Sequence, residues 1–122
     1  MTLQELYTLI GGNYAHAQQI MKMDKMIDKY VRRLKSSGVY DQLTSAAETM
    51  DAGKLFESAH AMKGVCANLG LDDLAAAAEI ITEEFRPENS RKLSDEEVKE
   101  KLSEISSMFQ KTLAGIDQYE NG

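Results

Sequence analysis

Apolar residues recur at alternating steps of three and four along most of this 122-residue chain, the spacing that lines one stripe of an α-helix packed against other helices. Four such runs follow one another. The first takes Ile20, Met23, Ile27, Val31 and Leu34 and, past a kink expected at Ser37-Gly38, continues through Val39, Leu43, Ala46 and Met50. The second takes Leu55, Ala59, Met62, Cys66 and Leu69, and the third Leu71, Leu74, Ala78, Ile81 and Phe85. The fourth takes Val98, Leu102, Ile105, Phe109, Thr112 and Ile116. Strand signals are missing.

The residues between the runs punctuate them. Asp51 is placed to cap the second run and Gly70 to stop it, while Ser94 with Glu97 reads as a capping box ahead of the fourth. Arg86-Pro87 and Asn89-Ser90 interrupt the chain before that box. A shorter helix is expected around Thr2 to Ile10, broken at Gly11-Gly12. Short connections between such stripes imply antiparallel neighbours. The expected fold is therefore all-α, an up-down-up-down antiparallel four-helix bundle with an additional short N-terminal helix laid across one end. Without repeats, low-complexity tracts or long linkers, the chain reads as a single helical domain over 1–122, with its core bundle at about 21–117.

Charge narrows the range of partners. A formal net charge of −6 opposes non-specific attraction to nucleic acid or anionic lipid, and Arg32-Arg33-Leu34-Lys35 is too short a basic cluster to reverse it. No stretch approaches the roughly 20 apolar residues that span a bilayer, and no basic start precedes an apolar run. The one cysteine, Cys66, cannot form an internal disulfide. These features point to a cytoplasmic monomer that meets a protein partner, with no nucleic acid and no membrane.

One stretch, SAHAMKGVCANLG from Ser58 to Gly70, places a glycine a turn beyond a histidine inside a helix. Glycine there costs on the order of 1 kcal/mol relative to alanine, which the neighbouring positions use freely. With residues about 100° apart and His60 at zero, Leu55, Met62, Cys66 and Leu69 fall roughly 180° to 240° away, so His60 lies opposite the core. Phe56, Glu57, Lys63, Gly64 and Ala67 fall within about 60° of it. That placement argues against a packing role for His60. Gly64 and Ala67 strip bulk from the helix beside the imidazole, and that bareness argues against a plain solvated residue: it leaves room for another molecule to come close. His16 shares the Ala-His-Ala context but has no lysine three places on and no glycine four places on, and reads as an ordinary polar or partly packed residue.

A free imidazole titrates near about 6.5, so at pH 7 it can attack an electrophile without a dedicated base. Lys63 would hold the oxygens of a phosphoryl group; Glu57 on the flank, and Asn68 further on, are candidates for orienting the ring. Glu57 to His60 also has the Glu-x-x-His spacing of di-iron bundles, but no second copy exists and both side chains point outward, so no metal site is expected. No glycine-rich phosphate loop is present. Cys66 faces the core, unsuited to nucleophilic work.

Ala59-His60-Ala61-Met62-Lys63-Gly64, followed by Asn68-Leu69-Gly70, resembles the signature of the histidine phosphotransfer (HPt) domain family. The resemblance covers the bundle from about Met21 to Asp117. Met62 stands where leucine is commoner, and Val65 where a small polar residue is frequent. The resemblance implies that His60 is the phosphoacceptor, Lys63 its electrostatic helper and Gly64 the clearance residue, with Phe56 and Ala67 as docking contacts. It further implies a carrier in a multistep two-component phosphorelay, not an enzyme, with no cofactor of its own. Its partners would be a sensor or hybrid histidine kinase and the receiver domain of a response regulator, which supplies the aspartate and its Mg2+. Two other readings stand beside it: a bundle that binds a signalling partner without being phosphorylated, and a metal-dependent bundle enzyme.

Overall fold

Thr2, Asn13, Asp51 and Ser94 each accept the backbone N–H three residues on, and each opens a helix. At Thr2 and Ser94 the third helical residue, Glu5 or Glu97, bonds back to the cap and closes a capping box. The computed structural model describes residues 1–122 and contains seven α-helices and no strand. They are α1 (Leu3–Ile10), α2 (Tyr14–Met21), α3 (Asp24–Arg33), α4 (Val39–Thr49), α5 (Ala52–Asn68), α6 (Asp72–Phe85) and α7 (Asp95–Asn121). A single 3₁₀ turn, Lys35–Ser37, joins α3 to α4. At 27 residues, α7 is about 40 Å long and forms the spine on which α1, α3, α4 and α6 pack.

The stripes read from the sequence form one continuous core. Leu55, Ala59, Met62, Cys66 and Leu69 are buried on α5 and just beyond it, facing Leu71, Leu74, Ala78, Ile81 and Phe85. From α7 come Val98, Ile105, Phe109, Thr112 and Ile116, and from α3 and α4 Ile27, Val31, Val39, Leu43 and Ala46. α5 and α6 make the most extensive helix pair, joined by the tight turn at Leu69-Gly70-Leu71. The segment between α6 and α7 folds around Glu84, whose buried carboxylate accepts from Arg91 Nε at 2.6 Å and from the Lys92 and Leu93 amides. Burial pushes that carboxyl up, but the guanidinium and the two amides outweigh it and hold it charged, below its ordinary range.

The N-terminal part of the chain departs from expectation in three respects. The first stripe is two helices, because Gly38 takes a left-handed φ of 81° and re-aims the chain. The chain also turns at Lys22, with φ 70°, so Ile20 and Met23 do not continue the stripe of Ile27 and Val31; they stand 40% and 57% exposed. Ahead of that turn lies α2, a helix the spacing does not announce. Its one buried residue is Ala17, too little to write a stripe. Polar contacts hold it instead: the Asn13 amide donates to the Gly70 carbonyl at 2.8 Å, and His16 Nδ1 meets Asp72 Oδ1 at 2.7 Å. His16 is thus a half-exposed tie between α2 and the start of α6.

Candidate functional site

α5 buries one face so completely that its opposite face is left to solvent. Leu55, Ala59, Met62 and Cys66 are 0% exposed, whereas His60, Gly64, Glu57 and Asn68 are exposed and Phe56, Lys63 and Ala67 half-buried. The imidazole of His60 leans on the Phe56 ring, with centroids 5.8 Å apart and planes 13° from parallel. This contact is apolar. Neither Glu57 nor Asn68 hydrogen-bonds to His60, so the ring is steadied by stacking rather than by a polar partner.

Gly64 has helical backbone, and a Cβ placed on it would meet nothing within 4 Å. No internal packing demands glycine there. Burial pushes the Cys66 thiol up to about 12, which leaves it protonated and unreactive on the far side of the same helix.

Two residues that the sequence did not single out belong to this face. Lys63 Nζ is paired with Glu79 Oε2, so the cation beside the histidine is bound across to α6. The Arg86 guanidinium lies over the Phe56 ring, 5.3 Å from its centroid, while Nη2 and Nε hold Glu83 at 2.8 and 3.1 Å. Arg86 keeps the Glu83 carboxyl down to about 2. Phe56 therefore has the imidazole and a guanidinium as neighbours. Helical periodicity places a residue on its own helix, but the register of α6 against α5, which brings Glu79 and Arg86 here, exists only once the helices pack.

Beyond Val65 and Asn68 the surface falls into a groove of about 570 Å³ between α5 and the α2–α3 turn, lined by Ile20, Met26, Tyr30 and Leu34 among others. Ile20, Met23 and Tyr30 are among the few large apolar side chains that stay exposed. Ile20, one of the residues that left the first stripe, thus borders the histidine helix with Met26 and Tyr30 as an apolar shoulder. No helix of the chain is long and apolar enough to cross a membrane.

No significant match to the chain was found among curated proteins or among solved structures. A protein-family model described as Hpt domain does match, over residues 25–116, a span that takes in α3 through most of α7 and the entire His60 face. With three quarters of its length under that model, and with the helical bundle to go with it, the chain belongs to the Hpt domain family.

Proposed function

We propose that this chain is a histidine phosphotransfer protein of a multistep phosphorelay, accepting a phosphoryl group on His60 and exchanging it with an aspartate of a response-regulator receiver domain. The observation that carries the reading is the pairing of an exposed imidazole with a glycine that faces open space one turn away.

In the transfer, a lone-pair nitrogen of the His60 imidazole attacks the phosphorus of an aspartyl phosphate. The P–N bond forms as the P–O bond to the aspartate breaks, and the bonding pair returns to the carboxylate. The proton already on the other ring nitrogen stays there, so the positive charge gained by the ring is balanced by the phosphoryl oxygens. Lys63 supplies further positive charge to those oxygens, and the bare backbone at Gly64 lets the receiver's acidic pocket reach the ring. Phe56 holds the ring plane and, with Ala67 and the apolar shoulder at Ile20 and Met26, offers the docking contacts. The aspartate and its Mg2+ come from the receiver. This chain contributes position and charge, which suffice for a reaction dominated by both.

The test is incubation with a panel of phosphorylated receiver domains and Mg2+. Acid-labile, base-stable phosphate is expected on the wild type and absent from His60→Gln. Gly64→Gln should melt no lower than wild type yet transfer on the order of 100-fold more slowly, since a long side chain displaces the incoming phosphorus. A receiver that binds while no phosphate ever reaches His60 would leave a binding module in place of a carrier.

A further inference from the structure

The residue that Lys63 contacts bears on how the site releases its phosphate. The Lys63 ammonium is paired with Glu79 on α6, and both side chains are about one-third exposed, at 38% and 34%. Oε2 of Glu79, the oxygen in that pair, is closed off from water, and no amide or hydroxyl donates to it. Its nearest source of compensation is the ammonium. Glu83, one turn along α6, adds a second carboxylate beside it but is itself committed to Arg86, and Arg91 is committed to Glu84 and Asp95. Lys63 is thus the cation paired with Glu79, while the Arg86 guanidinium acts on it only at longer range.

We infer that Glu79 is a positioning residue that competes with the phosphoryl group for Lys63 and so sets how strongly His60 retains phosphate. The inference rests on the phosphotransfer reading above. A cation with no partner would stabilise phosphohistidine by its full attraction. A cation already held by a carboxylate gives only the difference, because turning it toward the phosphoryl oxygens leaves Glu79 Oε2 without its paired counter-ion. A carrier needs such a moderated hold, since a phosphoryl group bound too firmly would not pass on. Glu79 adjusts the equilibrium without touching the reacting atoms.

The experiment compares wild type, Glu79→Gln, Lys63→Ala and the double variant. Each is loaded on His60 with phosphoramidate, which needs no receiver, and then mixed with a receiver domain and Mg2+. Glu79→Gln should shift the transfer equilibrium about two- to fivefold toward phosphohistidine, the range set by one partly exposed ion pair. It should also lower the pH midpoint at which the phosphoryl 31P resonance titrates, because the freed ammonium favours the dianion. Both changes should vanish in the Lys63→Ala background. A Glu79→Gln protein whose melting temperature falls but whose 31P midpoint and equilibrium match wild type would reduce Glu79 to a structural pair and overturn the inference. Equal shifts with and without Lys63 would overturn it too, since they would show a simple field effect of the lost charge. If the loaded wild type passes nothing to any receiver, the phosphotransfer reading falls, while the 31P comparison still decides whether Glu79 restrains Lys63.

Discussion

Gly64 and Gly70 lie six residues apart, one within α5 and one just past its end, and a methyl group added to each would find opposite surroundings. At Gly64 it would enter open space from ordinary helical backbone. At Gly70 it would overlap the Asn13 carbonyl oxygen and crowd the Ala17 amide, on a backbone whose φ of 69° side chains rarely adopt. The second glycine is required by the fold: it lets α5 turn into α6 and lets the Asn13 amide reach the Gly70 carbonyl at 2.8 Å, which seats α2. The first answers to nothing inside the molecule. When glycine sits mid-helix with no packing or torsional reason, the reason lies with whatever approaches from outside.

The largest effect expected from this contrast is at Gly70. Gly70→Ala combines left-handed strain with a backbone overlap and should cost about 3 kcal/mol, lowering the melting temperature by on the order of 10 °C. Thermal unfolding followed by circular dichroism measures it. An unchanged melting temperature would mean that the α5–α6 turn can re-form without its left-handed residue, and the contrast with Gly64 would dissolve.

A smaller effect is expected one residue earlier. The Tyr7 hydroxyl, buried from α1, donates to the Leu69 carbonyl at 2.6 Å. Burial pushes its phenol above the ordinary range, so it remains a protonated donor at all physiological pH values. Tyr7→Phe keeps the ring and strands a buried carbonyl, which should cost about 1–2 kcal/mol. The urea midpoint should fall with an unchanged slope. A midpoint equal to wild type would show that the end of α5 does not depend on α1, and that Gly70 alone defines it.

Legibility in the sequence differs between features set within one helix and features set between helices. The core stripe from Leu55 to Leu69, the outward direction of His60 and the stop at Gly70 were legible because each depends on one helix and its 3.6-residue period. The capping residues Asp51 and Ser94 were legible for the same local reason. α2 was not, since it is held by Asn13, His16 and Asp72 across distances the chain does not display. Ile20 and Met23 misled, because a three-residue step continues a stripe only if no turn intervenes, and Lys22 makes one. The ion pair between Lys63 and Glu79 stayed hidden for a third reason: two stripes specify that two helices touch, but not how far each slides along the other.

The smallest change expected is the one that isolates the cost of the exposed face. Gly64→Ala removes backbone freedom from the unfolded chain, adds a methyl that meets nothing, and should raise stability by about 0.5–1 kcal/mol, a gain of a few degrees in melting temperature. On the proposed transfer the same methyl would project toward the incoming receiver, so transfer should slow slightly with Ala and much more with Gln, opposite in direction to the change in stability. That opposition is the signature of a position kept bare for a partner. A stability that drops with Ala would reveal an internal demand on Gly64 like the one at Gly70. A stability that rises while Gln transfers as fast as wild type would leave the glycine without a partner to serve.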